Sequence, residues 1–374
     1  MRFCAALILF FASAASAWDV NDVSILLPLA STLASSGVLR PSTQGKAGEL
    51  LPARFLGMLP LLSESSAAFP NQSLAVVGVR IDPCFPGIAN PPEPCHFQIR
   101  MVWQPMFQVG ANLEAMDAAV HTFYELTSGE FTELSQKIAV LNAKSGLSTK
   151  GLPLGVHPLI ASQGLSGSYW QELSSIILSY TGEARLVRFT FMSSSTADMM
   201  WDFGGFDITP QKITRMVIPR IQTRDQSFVN VTHDMVHFNG GAKPEAPGDV
   251  DTFSRIVANS GNFTPEDSAI VKASVESIYR IENPTIHSPA TVDCASCHTA
   301  EPARLWAISV FSELHLDQSQ YRFQSAFNLQ NTTESGSTTH LLRAFGYDGK
   351  TPAISQRTIN ESAAVAGALN AKSK

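Results

Sequence analysis

Gly240-Gly241-Ala242-Lys243-Pro244-Glu245-Ala246-Pro247-Gly248 divides the patterning of this chain in two. Glycine and proline at that density mark turns and linkers. Upstream, residues 74–81 (LAVVGVRI) and 97–106 (FQIRMVWQPM) carry the β-branched, alternating pattern of strands. Further strands are expected over 184–192, 212–221 and 227–238, and helices over 113–126, 131–141 and 169–180. Asp202-Phe203-Gly204-Gly205-Phe206-Asp207 reads as a tight turn or bulge. Downstream the pattern turns helical. Thr264-Pro265-Glu266-Asp267 has an N-cap, a proline at N1 and first-turn acids, opening a helix to about Tyr279. Another helix is expected over 303–311, and an alanine-rich one closes the chain after Asn360-Glu361. A chain of 374 residues is long enough for two domains. The expected class is therefore α+β: a strand-rich mixed domain over 18–240, a linker at 241–250, and a mainly α-helical domain over 251–374.

Within the helical part stands Cys294-Ala295-Ser296-Cys297-His298, the CxxCH pattern of covalent haem attachment. Two thiols at this spacing reach the two vinyl groups of one haem, and the adjoining histidine can place an imidazole nitrogen on the iron. Two other chemistries use CxxC. A thiol–disulfide redox motif expects a βαβ setting, which this region lacks. A zinc site, completed by His287 or His315, needs neither export nor a histidine directly after the second cysteine.

The N-terminus agrees with haem attachment, which takes place outside the cytoplasm. Residues 1–17, MRFCAALILFFASAASA, have a basic Arg2, a short apolar core and an A-x-A end, the form of a secretory signal peptide. That apolar run falls short of the roughly 20 residues of a membrane span, and no later run replaces it. The expectation is an exported protein without a transmembrane segment, either periplasmic or extracellular at the cell surface. Four cysteines remain after residue 17. Cys84 and Cys95 bracket a loop rich in Pro and Gly, and a disulfide between them would stabilise the fold by about 2–3 kcal/mol. The net charge of −6, without a basic cluster, points away from nucleic acid.

The pentapeptide, the signal and the helical host region together resemble the c-type cytochromes. The resemblance implies a cytochrome c-like domain over 251–374 carrying one haem c. Cys294 and Cys297 would form its thioethers, and His298 would be the proximal iron ligand. Mono-haem cytochromes usually take a distal methionine from downstream, but the last methionine here is Met235. His340, in a Ser/Thr/Gly-rich stretch, is the leading distal candidate, with His315 the runner-up and His287 or an open position as further options. Arg304, Arg343 or Arg357 could pair with a propionate, and Trp306, Phe311, Tyr321, Phe323, Phe327, Phe345 and Tyr347 could wall the haem. His233 and His237 would share a face only on a helix, and the strand-like residues before them argue against joint metal binding. Met192, Met199 and Met200 beside Trp201 read as packing. The implied function is electron transfer with a redox partner protein. The alternatives are a single-haem, peroxidase-like enzyme and a haem-based sensor with the N-terminal domain as recognition unit; a two-haem peroxidase would need a second CxxCH.

Overall fold

The computed structural model describes residues 18–63, 73–83, 96–146, 148–195, 199–232, 235–333, 339, 342 and 344–372. The signal-like residues 1–17, Cys84, Cys95, His233, His340 and Arg343 lie outside the described residues. No helix among the described residues is long and apolar enough to cross a membrane.

The architecture is α+β and is organised by one antiparallel sheet. Its strands are β1 (Ser24–Leu26) and, beyond the small ladder of β2 (Gln44–Gly45) and β3 (Gly48–Glu49), β4 (Leu74–Asp82), β5 (Phe97–Val109), β6 (Asn112–Ala115), β7 (Ala119–Leu126), β8 (Leu186–Ser195), β9 (Met200–Ile208), β10 (Ile213–Arg215), β11 (Asp225–Asn230) and β12 (Gly240–Lys243). The order across the sheet is β1-β4-β5-β7-β8-β9-β11-β12, with β6 on β5 and β10 on β9. A separate hairpin pairs β13 (Phe345–Asp348) with β14 (Thr351–Ile354). The helices are α1 (Val20–Val23), α2 (Ala53–Leu56), α3 (Ser128–Ser145), α4 (Pro158–Gln163), α5 (Ser168–Leu178), α6 (Ser254–Ala258), α7 (Ser268–Glu282), α8 (Cys294–Val310) and α9 (Gln356–Lys372).

Side chains of alternating residues leave a strand on opposite faces, and here each face has its own cover. Ile99, Met101 and Trp103 of β5, with Val120 and Tyr124 of β7, point into a core shared with α3 and α5. α3 forms where the sequence asks for it. Thr127 and Glu130 make a reciprocal capping box, Phe131, Leu134, Ile138 and Leu141 form the buried stripe, and Gly146 ends the helix at φ 70°. The opposite face carries two further cores. One joins Met192, Trp201 and Phe203 to α6, α7 and α8; the other joins Ala75, Val77, Val102 and Met106 to the β13–β14 hairpin and α9. Gly78, beside a register shift in β4, admits the Phe345 ring, which a Cβ there would meet at 2.5 Å. The chain ends are tied as well. Trp18 N–H donates to Asn370 Oδ1 at 2.8 Å, and Asn370 Nδ2 donates back to the Trp18 carbonyl at 2.9 Å.

Several local expectations differ from these elements. The helix expected over 113–126 is instead β6 and β7: in β7, Val120, Thr122, Tyr124 and Leu126 are buried while the residues between them are not. Sheet pairing on both sides imposes that period of two over the helical spacing. Gly204 and Gly205 make no turn but sit in the middle of β9, where a Cβ would collide with the Phe191 ring and the Thr190 methyl respectively. The strand over 212–221 shortens to β10, and that over 227–238 to β11. The expected linker begins inside the sheet, with Gly241, Ala242 and Lys243 of β12 paired to Val229, Phe228 and Ser227.

Candidate functional site

α8 starts at Cys294, directly after a loop, because Asp293 caps it: Ser296 N–H donates to Asp293 Oδ2 at 3.0 Å. The same carboxylate accepts Gln226 Nε2–H at 2.8 Å, and Gln226 Oε1 accepts Ala295 N–H at 2.8 Å. Gln226 pairs with Phe203 across β11 and β9. The first turn of α8 is thus pinned over that part of the sheet face. On a helix, positions i, i+3 and i+4 share a face, so Cys294, Cys297 and His298 project together.

The His298 ring lies 5.0 Å from that of Phe203, centroid to centroid. Its Nδ1–H donates to the Leu342 carbonyl at 2.5 Å. That bond fixes the tautomer with the lone pair on Nε2, for which no hydrogen-bond partner exists among the described residues. Burial pushes His298 below the usual imidazole range, although the Leu342 bond and the Asp117 carboxylate pull the other way. The ring is therefore held neutral, the form that ligates metals. Pro302, four residues on in α8, lacks the N–H that would otherwise bond the His298 carbonyl.

Both cysteines are free thiols. Burial, followed by the mutual repulsion of the pair and Asp293, pushes Cys294 up to about 12. Burial likewise raises Cys297 to about 11, with Arg357 opposing and Glu361 adding to the rise. By surface area, however, Cys294, Cys297 and His298 are only half-buried. Thiols held protonated are poorly suited to thiolate ligation or to disulfide exchange at neutral pH. No three His, Cys, Asp or Glu side chains converge on a possible metal ion among the described residues.

Beside Cys297 lies a charged layer. Glu361 of α9 pairs with Arg80 at 3.1 Å and with Arg357 at 2.8 Å, and Arg100 pairs with Asp82. Arg80, Asp82, Arg100 and Glu361 also border a cavity of about 510 Å³, with Phe123, Arg188 and His287 in its walls; Cys294, Cys297 and His298 do not line it. The volume falls in the range of small-molecule sites, about 300–1,000 Å³.

The other sequence candidates are scattered. His315 is exposed, in a left-handed conformation between two 3-10 turns. It follows the far end of α8, roughly 18 Å along the axis from His298 at 1.5 Å per residue. His287 uses both ring nitrogens, on Thr291 at 3.0 Å and Asp251 at 3.2 Å. Arg304 is committed to Glu282 and Glu301. Arg357 donates to the carbonyls of Ile281 and His287 besides its Glu361 pair. Met192 is packing in the core, as are Trp306 and Phe311, while Phe345 and Tyr347 pack in the neighbouring core under the hairpin. Phe203, Leu342 and Gln226 carry no sequence signal. They meet α8 only through the sheet and a chain reversal. Compared with protein-family models, curated proteins and solved structures, the chain matches none.

Proposed function

We propose that this chain is an exported mono-haem c-type cytochrome whose function is electron transfer. One haem c would be held by thioethers from Cys294 and Cys297, with Nε2 of His298 on the iron. The observation that carries the reading is the His298 imidazole. Its Nδ1–H is spent on the Leu342 carbonyl and its Nε2 has no hydrogen-bond partner among the described residues, on the same helix face as two free thiols. A histidine that ligates a metal characteristically donates its other ring N–H in this way.

The bound group would supply one-electron chemistry, tuned by its ligands and its burial. The chain's own residues do the rest. Gln226 and Asp293 hold the first turn of α8 in place, Leu342 orients the imidazole, and Phe203 packs against its ring. The helical segments after residue 251 would form the cytochrome c-like part. The signal-like residues 1–17 would send the protein to the periplasm or the cell surface, an oxidising setting that suits a Cys84–Cys95 disulfide. The electron acceptor or donor would be another protein.

Coexpression with a haem-attachment system tests this reading. The mature protein should gain the mass of one haem and give a pyridine haemochrome spectrum typical of thioether linkage, both lost in Cys294→Ala/Cys297→Ala. A protein that stays at its polypeptide mass refutes it. The cavity bordered by Arg80 and Glu361, two groups of the charged layer near Cys297, favours a second reading, a single-haem enzyme or sensor that admits a small ligand. That reading requires an open iron position and hence a high-spin resting spectrum.

A further inference from the structure

His121 lies in β7, within the stretch 113–126 whose sequence suggests a helix. As a member of β7 it projects from the same sheet face as Phe203, toward α8. His121 pairs with Thr190 on β8, and Thr190 with Gly205 on β9. Phe203, which packs on His298, is level with Met192 and through it with Ala119. His121 therefore stands one residue pair along and two strands across from Phe203. At about 3.3 Å per residue and 4.8 Å per strand, their Cα atoms are ~12 Å apart. His298 on the helix and His121 on the sheet thus stand on facing elements.

His121 also has the condition of an unused ligand. It is half-buried, and among the described residues neither ring nitrogen has a hydrogen-bond partner. An imidazole this deep normally satisfies at least one nitrogen. The other described histidines are spoken for or elsewhere. His96 pairs with Glu125 on the surface, His157 stacks on Tyr169 beneath the other sheet face, His237 lies beside Gly261 in the loop before β12 and has a partner of its own, His287 is doubly bonded, and His315 is exposed.

We propose that His121 is the second axial ligand of the iron, opposite His298; this rests on the haem reading above. The sheet would then complete the coordination, and the strand-rich part of the chain would form half of the haem pocket. With two histidine ligands the protein would have a low-spin iron and a lower potential than a His/Met cytochrome.

The test uses the full mature chain loaded with haem, with intact mass, visible spectrum and electron paramagnetic resonance measured for wild type, His121→Ala, His121→Met and Met192→Leu. Wild type and all three variants should carry one covalent haem. Wild type and Met192→Leu should be low-spin with the same signals. His121→Ala should turn high-spin and return to low-spin when free imidazole is added. His121→Met should show the sulfur-to-iron charge-transfer band and a raised potential. A wild type that is high-spin overturns the proposal. So does a haem-loaded His121→Ala with an unchanged low-spin spectrum, or a spin change produced by Met192→Leu instead. A wild type without covalent haem refutes the haem reading itself, which separates the two failures.

Discussion

Replacing Asp293 should loosen the turn that presents Cys294, Cys297 and His298, by an amount that can be worked out. Its side chain is wholly buried. In Asp293→Ala, Ser296 N–H loses its cap, at about 1 kcal/mol. Gln226 loses a charge-assisted acceptor, worth about 1.5–3 kcal/mol. Arg220, whose guanidinium is 3.6 Å from Asp293 Oδ1, keeps Asp249 at 2.5 Å, and Gln226 keeps the Pro244 carbonyl at 3.1 Å. Those surviving partners hold the loss to the low end of the about 3–5 kcal/mol of a fully orphaned buried charge. The expected destabilisation is about 3 kcal/mol. Asp293→Asn preserves an oxygen for Ser296 and Gln226 and should lose only about 1 kcal/mol, mostly the charge assistance. Urea unfolding followed by circular dichroism, at unchanged m-value, measures both. A loss under 1 kcal/mol in Asp293→Ala, or equal losses in the two variants, would refute the view that this carboxylate anchors α8.

Two further outcomes follow from the face of the sheet that bears the site. Burial opposes the charge of Glu361, yet Arg357, Arg80 and Arg100 outweigh it and hold the carboxyl at about 2, against 4.5 when free. The stability it brings is complete above about pH 4.5 and is lost as pH falls through about 2, on the order of 3 kcal/mol. Glu361→Gln should flatten that acid limb in denaturation midpoints taken from pH 2 to 7, and an unchanged slope would count against the cluster. Gly78→Ala should drive a methyl into the buried Phe345 ring and destabilise by about 1–3 kcal/mol in thermal unfolding. Simultaneous Phe345→Leu should recover part of the loss; no recovery would mean that the contact is not the cause.

What the sequence made legible was local. α3 announces itself by Thr127, Glu130 and a buried stripe, α7 by Thr264-Pro265, and β4, β5 and β8 by their alternating apolar residues. Cys294, Cys297 and His298 likewise sit within one turn, so their spacing alone shows that they share a face. What was not legible depends on pairing at a distance. Residues 119–126 have enough alanine, leucine and glutamate nearby to suit a helix, and only β5 and β8 on either side settle them as a strand. With that strand comes the outward direction of His121. Phe203 and Leu342 reach His298 from 95 positions upstream and 44 downstream, separations at which no sequence period operates. Gly204-Gly205 shows the same limit: glycine marks close approach as well as reversal, and here a strand packs tightly across it.

The mutual hydrogen bonds of Trp18 and Asn370 have a consequence for the order in which the molecule is finished. A chain made from its N-terminus presents α1 and β1 first, but their partners on α9 arrive last. Contacts spanning nearly the whole chain form slowly, because the longest loop must close before they exist. Until α9 arrives, Glu361 is missing from the charged layer beside Cys297 and the helix that covers that part of the sheet is absent. The two thiols are therefore made before the helix that brings Glu361 to the layer beside Cys297.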